Sequence, residues 1–497
     1  MSAPDLRSFR ELRVSDPTLR KDSSSSTYTF VDRRGGRHPL KLHYKFPTPI
    51  YAEVSAAMRN QARVHHSIAS LNYGLFCERI VYEYPLTRAD LAYLRGMERV
   101  TAQEQYLNRF VGEAPHPLIL PRYHVAAEAF EPEAVESVAA LQSDGEEDEH
   151  AAPATDPRRY AVLSSGGKES LLTYGLLREM GGDVTPVYVN ESGRHWHTAL
   201  MAHRLHERTE PRTRRIWSSI DRLYVGANRL LPCVRPGFQR IAADVYPIQL
   251  FTFNSYQMAV AGLAMHEGIG TMLMGNEFDE GPWPEVKGVR HWWGIYDQSQ
   301  AFDLVLNAYF AQKGWGLRQT SLLRSLSSLA IQDLLASRYP DLLKVQTSCH
   351  ATHLRVGRGR ESVVIPCGRC SKCLGVLLFL LASGHDPKRL RYKAEDVKKL
   401  GARVAATHLK VDQAEAEHAM SRALRRGWRF EGSANGFAPR EHEEVQAIRF
   451  HPEMSRRDAM PPELAGRVYR VFKTRTKGVL EKGARGWERA ALRVRGP

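Results

Sequence analysis

The chain has 497 residues, of which 43% are hydrophobic, and its formal net charge is +15. This length predicts two or three domains, and the apolar fraction is sufficient to fill their cores. The longest apolar run, at 374–384, is about half of the roughly 20 residues needed to cross a bilayer, and the polar N-terminus lacks the apolar region of a signal peptide, so we expect a cytoplasmic protein without a membrane partner.

Residues 1–126 are predicted to form an α+β N-terminal domain. Residues 40–46 alternate apolar and polar side chains behind the Gly35–Gly36 turn, which predicts a β-hairpin. Between about 50 and 110 the apolar residues, among them Leu71 and Ile80, follow a helical spacing. We therefore expect a hairpin followed by helices.

Residues 127–157 are acidic and contain few side chains that could pack in a core. Such a composition is typical of disordered segments. We predict a disordered linker here, with the run at 144–149 as a solvated tether.

Strands and helices are predicted to alternate over 158–386. Strands are predicted at 160–164, 184–190, 221–226 and 271–276, with helices after the first strand and from about Tyr256. This alternation predicts an α/β fold with a doubly wound parallel sheet. Ligands of such sheets bind beyond the carboxyl ends of the strands, where a Ser/Gly loop and the stretches 190–197 and 276–280 fall.

The Ser/Gly loop at 165–170, "SGGKES", lies between the first of these strands and a helix. Glycines let the backbone approach a ligand, and the amides of a helix N-terminus attract an anion. Lysine and serine side chains add a positive charge and hydroxyl donors. The loop therefore predicts a phosphate or pyrophosphate site, and its spacing excludes the Walker A and dinucleotide-binding patterns.

Four of the six cysteines lie within 25 positions, at Cys349, Cys367, Cys370 and Cys373. Four thiolates at this spacing can converge tetrahedrally on Zn²⁺ and fill all of its positions. We predict a structural zinc site.

Residues 387–497 are rich in arginine and lysine and are predicted to form a basic helical C-terminal extension. Its Arg pairs permit contact with nucleic acid, since clustered positive charge attracts phosphate. They lack interleaved aromatic residues at regular spacing, so a solvated helical surface is favoured over a nucleic-acid interface.

The loop resembles the S-G-G-x-D-S motif of the PP-loop ATP pyrophosphatase superfamily, which has an adenine nucleotide alpha hydrolase-like fold. Its members cleave ATP to AMP and pyrophosphate while they activate a substrate as an adenylate. The resemblance implies ATP and Mg²⁺ as cofactors. It assigns pyrophosphate binding to Ser165, Gly166, Gly167, Lys168 and Ser170, with Glu169 near the metal in place of the usual aspartate.

Within the superfamily, "SGGKES", "TSCHATHL" and "CGRCSKCLGVLLFLL" are similar to the epimerases that convert the terminal L-Glu of UDP-N-acetylmuramoyl-L-alanyl-L-glutamate to D-Glu in peptidoglycan precursor synthesis. The resemblance covers roughly residues 60–385. A looser likeness, in the cysteine cluster, is to 7-cyano-7-deazaguanine synthases, which activate a deazapurine carboxylate for attack by an amine. Both imply an AMP-forming enzyme with a small acidic substrate.

Further site residues are predicted from their positions. Glu277, with Asn276 and Asp279, could hold Mg²⁺ or a substrate amine just beyond a strand end, or the three residues could form a solvated acidic loop. Imidazole titrates near neutral pH, so histidines are candidates for proton transfer. His350 is the first choice because it adjoins Cys349, and the others are His195, His197 and His291.

Arg290 and Arg355 could pair with substrate carboxylates or phosphates, and Trp292 and Trp293 could stack on a flat base or pack in the core. The predicted catalytic set is Lys168, His350 and Glu277. The alternative from a different class is a zinc-containing nucleic-acid-binding protein without ATP turnover, whose binding would be tight and salt-sensitive. No oligomeric state is predicted.

Overall fold

The fold is that of a computed structural model, in which residues 4–136, 138–191, 196–241, 245–278, 285–356, 362–406, 409, 411–429 and 438–492 are described. The helices in these ranges are α1 (Ala56–Ile68), α2 (Arg88–Arg109), α3 (Lys168–Glu179), α4 (Trp196–Thr209), α5 (Ile220–Leu230), α6 (Phe238–Ile241), α7 (Thr252–Glu267), α8 (Gln300–Gln312), α9 (Ser328–Arg338), α10 (Pro340–Leu343), α11 (Ser371–Ser383), α12 (Ala394–Lys398), α13 (Leu400–Ala406), α14 (Gln413–Arg425) and α15 (Pro462–Phe472).

The strands are β1 (Phe9–Ser15), β2 (Thr18–Arg20), β3 (Ser23–Asp32), β4 (Arg37–Lys45), β5 (Cys77–Glu83), β6 (Val111–Gly112), β7 (Val125–Ala126), β8 (Ala140–Ser143), β9 (Asp156–Leu163), β10 (Asp183–Asn190), β11 (Arg214–Ser218), β12 (Ile269–Leu273), β13 (Glu285–Val286), β14 (Val289–Arg290), β15 (Arg318–Thr320), β16 (His353–Val356), β17 (Ser362–Ile365), β18 (Ile448–Phe450), β19 (Val479–Gly483) and β20 (Gly486–Arg489).

A mixed, mostly parallel sheet of eleven strands organises the molecule, in the order β15-β12-β9-β10-β11-β4-β3-β1-β5-β8, with β2 paired to β3. From β15 to β11 every neighbouring pair is parallel. Strand β11 then pairs antiparallel with β4, with Ser218 opposite Tyr44. The hairpin predicted in the N-terminal region is confirmed as β3 and β4, and through β4 the N-terminal strands continue the parallel sheet rather than forming a sheet of their own.

Two hydrophobic cores lie on the two faces of this sheet. Along β9, Ala161 belongs to the core that contains α1, α7 and α8, whereas its neighbours Tyr160 and Val162 belong to the core that contains α3, α9 and α11. Because adjacent side chains of a strand point to opposite faces, helices cover both sides of the sheet. The chain is therefore an α/β protein with a central sheet enclosed by helices.

One predicted strand is wrong. Residues 221–226 lie in helix α5, and the third strand of the parallel set is β11, which directly precedes it. The buried apolar residues of α5 are Ile220, Leu223, Tyr224 and Ala227. They recur at i, i+3, i+4 and i+7, a helical period that a six-residue window is too short to resolve.

A strand also interrupts the region predicted as helical between 50 and 110. Ile80 lies in β5, which runs parallel to β1 and places Ile80 opposite Leu12. Helices α1 and α2 flank this strand. The pairing with β1 joins residues far apart in the sequence, so the local spacing could not indicate it.

The acidic segment 127–157 is not a disordered linker, and that prediction is wrong. Strand β8 pairs with β5, and Phe130 is fully buried. Glu147 accepts a hydrogen bond from the Arg63 guanidinium at 2.7 Å, and Glu149 forms an ion pair with the buried Lys313. The acidic side chains neutralise cations of the folded body, which composition alone could not reveal.

The C-terminal segment 387–497 contains the predicted helices, but it also contains the three-stranded sheet β18-β19-β20. Buried residues of this segment, such as Val404, Ala419 and Phe472, belong to the same core as α3 and α11. The segment is therefore packed into the body that carries the Ser/Gly loop. Within the described ranges, no helix combines the length and hydrophobicity that a membrane-spanning segment requires.

Candidate active site and metal centre

The Ser/Gly loop leaves the carboxyl end of β9 and enters α3, as the sequence predicts. Gly166 has φ +78°, and a Cβ at this position would lie 2.6 Å from the backbone oxygen of Thr198. Only glycine fits both this conformation and this close approach. The Gly166 oxygen accepts a hydrogen bond from the Thr347 amide at 2.9 Å, so the loop is tied to the chain that leads to the cysteines.

Helix α3 begins without a side-chain cap. Gly167 is the N-cap residue in an extended conformation, and its amide donates to Ser165 Oγ at 3.3 Å. Ser170 Oγ donates to the Gly167 oxygen at 3.3 Å. The amides of the first helical turn and the positive end of the helix dipole make this end of α3 suited to an anion.

Lys168 is a buried lysine at the centre of a charge cluster whose two carboxylates are partly exposed. It is 8% exposed, and its Nζ contacts the Glu169 carboxylate and lies 3.2 Å from Glu277 Oε2. Burial alone would lower the pKa of Lys168, but the two carboxylates outweigh it and hold that pKa above its ordinary value. Burial acts to raise the pKa of Glu169, yet Lys168 holds it below its usual range. The lysine is therefore positively charged.

Glu277 follows the carboxyl end of β12 and faces the same cluster. Ser328 is the first residue of α9, and its Oγ donates a hydrogen bond to Glu277 Oε1 at 2.5 Å. Burial, aided by the charge of Glu169, raises the pKa of Glu277 despite Lys168. Asn276 precedes it and is 8% exposed, and its Nδ2 is buried without a hydrogen-bond partner in the described part of the chain.

Lys168, Glu169 and Glu277 open onto a cavity of about 250 Å³, whereas the predicted residues Gly166, Ser170 and Asn276 do not line it. Its wall contains the loop and charge cluster, the strand-end and helix-start residues facing them, the chain before the cysteine cluster, and the first turns of α11: Ser165, Gly167, Lys168, Glu169, Thr198, Glu277, Ser328, Thr347, Ser348, Cys349, Ser371, Lys372, Gly375, Val376, Phe379 and Val411. The cavity therefore joins the N-terminal end of α3 to the cysteine cluster.

The four predicted metal ligands converge. The Sγ atoms of Cys349, Cys367, Cys370 and Cys373 all lie within 4.8 Å of one another. Backbone amides of Ala351 and Cys367 each donate to Cys349 Sγ at 3.3 Å. Amide donors stabilise thiolates, and a soft donor set of four sulfurs suits a structural metal ion such as zinc.

The turn between the metal ligands is supported by the C-terminal segment. Gly368 has φ +67°, and a Cβ there would lie 2.4 Å from the Asp396 carboxylate. Arg403 Nη1 donates to the Gly368 oxygen at 2.6 Å and to Asp396 Oδ1 at 3.1 Å. Helices α12 and α13 thus fix the loop that carries the cysteines.

Several predicted residues do not line the cavity. His350 is exposed, although its neighbour Cys349 lines the cavity wall. His291 is 5% exposed, and its burial lowers its pKa. Arg290 forms an ion pair with Glu453, and Trp293 is 61% exposed. None of these four belongs to the wall, and nor do His197, Arg355 and Trp292, whereas His195 and Asp279 lie outside the described residues.

The sequence did not single out Ser328, Thr347 or Lys372, which line the cavity. A signal for one of them was present, because Ser327 caps α9 by accepting the Ala330 amide, and a serine before an apolar run indicates a helix start. That signal places Ser328 on a helix but not beside Glu277.

No protein-family model and no curated protein gives a match to this chain.

Proposed function

We propose that this protein is an enzyme that uses Mg²⁺ and ATP to adenylate a substrate carboxylate, with release of pyrophosphate. The observation that carries the proposal is the buried Lys168, held by Glu169 and Glu277 at the uncapped N-terminus of α3, beside a glycine loop that opens onto a cavity. This arrangement offers donors and a fixed positive charge to an anion, together with two carboxylates for a divalent cation.

The residues present fit both groups. Gly167 lines the cavity and carries no side chain that would block a phosphate from the α3 amides, and Ser165 adds a hydroxyl there. Carboxylate oxygens are the ligands that Mg²⁺ prefers, so Glu169 and Glu277 would hold it. When bound, Mg²⁺ neutralises charge on the phosphate oxygens of ATP.

In the proposed reaction, a carboxylate oxygen of the substrate attacks the α-phosphorus of ATP. The bond from that phosphorus to the bridging oxygen of the pyrophosphate breaks, and the oxygen keeps the electron pair. Lys168 and the α3 amides would stabilise the charge that develops on the leaving pyrophosphate. Because the Lys168 side chain is 10% exposed, its charge interacts more strongly with such an anion than it would in water.

The proposed substrate is a small acidic molecule. Lys372 lines the cavity and supplies a second positive charge for a carboxylate. The motif resemblance favours a UDP-linked peptide ending in L-Glu, whose activated α-carboxylate would make the adjacent Cα proton acidic enough for epimerisation. A deazapurine carboxylate is the second candidate, since the same activation would allow attack by ammonia. The zinc ion is proposed to be structural.

The experiment measures pyrophosphate release from ATP with Mg²⁺. One reaction contains UDP-N-acetylmuramoyl-L-alanyl-L-glutamate, and another contains 7-carboxy-7-deazaguanine with ammonia. Lys168→Ala tests the loop. The control is Lys388→Ala, because Lys388 is exposed and its ammonium has no ion pair in the described part of the chain.

Release with the peptide, accompanied by D-glutamate, supports the epimerase. Release only with the deazapurine would transfer the proposal to nitrile or amide formation. If neither substrate gave release above the Lys168→Ala background, both substrate assignments would fall. Salt-sensitive binding of RNA or DNA without turnover would then support the nucleic-acid-binding alternative.

A further inference from the structure

The C-terminal segment reaches the cavity itself. Val411 lines the cavity, and α14 begins two residues later. Asp412 caps this helix by accepting the amide of Glu415 at 3.0 Å, which fixes the first turn of α14 and the position of Glu415. One residue of the cavity wall, Val411, therefore lies outside the stretch 60–385 that carries the motif resemblance.

Glu415 is linked to Glu277 through a single residue. Glu415 is 3% exposed, and its Oε1 accepts a hydrogen bond from the Ser328 amide at 3.0 Å. Ser328 Oγ donates in turn to Glu277 Oε1 at 2.5 Å. Burial raises the pKa of Glu415 to about 8, with a further contribution from the charge of Glu277. The carboxyl at 415 thus orients the hydroxyl that holds the carboxylate at 277.

Arg449, in β18, contacts the same region. Its Nη2 lies 3.8 Å from Glu415 Oε1, and its Cζ lies 3.9 Å from the centre of the Phe278 ring. The Arg449 amide donates to the Ser325 oxygen at 2.9 Å, and the Phe278 amide donates to the Leu326 oxygen at 2.9 Å. A buried guanidinium over an aromatic face is a favourable contact, so Arg449 fixes the residue that follows Glu277.

The loop before α9 is also clamped directly, because Ser327 Oγ donates to the Val445 oxygen at 2.6 Å. The charge cluster around Lys168 therefore depends on Glu415, Val445 and Arg449 for the placement of Glu277. We propose that Glu415 and Arg449 are positioning residues that hold Glu277 against Lys168, so that the C-terminal segment is part of the catalytic unit. The activity readout of this proposal rests on the proposed function.

The test compares Glu415→Ala with Glu415→Gln in the full chain. Glutamine keeps an oxygen that can accept the Ser328 amide, whereas alanine does not. We expect Glu415→Ala to lower kcat for pyrophosphate release roughly 10–100-fold, as the loss of a residue that orients a ligand usually does, with a smaller change in KM for ATP. Glu415→Gln should keep most of the wild-type kcat.

Glu417→Gln is the matched control. Glu417 is also buried in α14, but it bonds with Gln413 and His442, and within the described residues it makes no bond with the loop before α9. It should leave kcat unchanged. The folded fraction of each variant is determined from its thermal unfolding curve, and kcat is expressed per folded enzyme. A loss of folded protein is then not counted as a loss of turnover.

Hydrogen exchange of a peptide covering 321–332 gives a second readout that needs no substrate. The Ser328 amide should exchange at least tenfold faster in Glu415→Ala than in the wild type, and at the wild-type rate in Glu415→Gln and Glu417→Gln. Wild-type exchange or wild-type kcat in Glu415→Ala would overturn the proposal. If the wild type released no pyrophosphate, the proposed function would fall, and the exchange rates alone would decide whether Glu415 holds the Ser328 loop.

Discussion

Replacing Lys168 with methionine is expected to destabilise the folded protein at pH 8, because it leaves two carboxylates without their cation. The side chain of Lys168 is 10% exposed, and those of Glu169 and Glu277 are 23% and 31% exposed. Breaking a buried ion pair by removing one partner costs about 3–5 kcal/mol. The partial exposure of both carboxylates lets water screen them, so we expect the lower end, about 3 kcal/mol.

The loss of folding stability in Lys168→Met should become smaller as the pH falls. Without Lys168, burial raises the pKa of both carboxyls in the folded state above the unfolded value. The folded variant then binds more protons than the unfolded chain, so its free energy of unfolding rises as the pH falls. In the wild type the pKa of Glu169 is lowered, so its stabilisation is lost only below the unfolded pKa and stays constant from pH 8 to pH 5. The pKa of Glu277 is already raised in the wild type, which therefore also gains stability as the pH falls, but by less than the variant, in which Lys168 no longer lowers that pKa. The deficit of the variant should therefore shrink from pH 8 to pH 5.

Denaturant unfolding at both pH values measures this difference. Lys388→Met is the control and should change the free energy of unfolding by less than about 0.5 kcal/mol, as substitutions at exposed positions usually do. The double variant Lys168→Met with Glu277→Gln should recover part of the loss, since one of the two charges is then absent. A variant as stable as the wild type at pH 8, or a deficit independent of pH, would refute the account of the charge cluster.

Three further predictions concern the metal centre, the loop and the N-terminal region. Cys373→Ser should abolish the binding of about one zinc ion per chain and lower the thermal midpoint, and metal analysis showing zinc retained in the variant would contradict the four-sulfur site. Gly166→Ala should cost about 1–3 kcal/mol in denaturant unfolding and eliminate pyrophosphate release, because a Cβ meets the Thr198 oxygen and the backbone is left-handed; wild-type stability would argue against this geometry. Burial raises the pKa of Glu98 to about 8, so the wild type loses stability as the pH rises from 4.5 towards that value. Glu98→Gln should therefore be more stable than the wild type at pH 9 and not at pH 4, and a gain at both pH values would show that the charge is not the cause.

Features encoded by neighbouring residues were readable from the sequence. Strands β9, β10 and β12 were predicted because a buried parallel strand is a short apolar run. The glycine loop and the four cysteines were also readable, since the loop is one short turn and all four cysteines lie within 25 positions. The convergence of the four sulfurs confirms the predicted cluster.

Only the tertiary structure decided how these parts meet. Strand β4 continues the parallel sheet through β11, and no local pattern specifies a partner that far along the chain. Ser328 and Glu415 are separated by 87 residues, yet one hydrogen bond joins them beside Glu277. The acidic segment near Glu147 is ordered for the same reason, because its counterion Arg63 lies in another element. Periodicity and spacing report the local geometry of the backbone, whereas these contacts follow from packing distant segments into common cores.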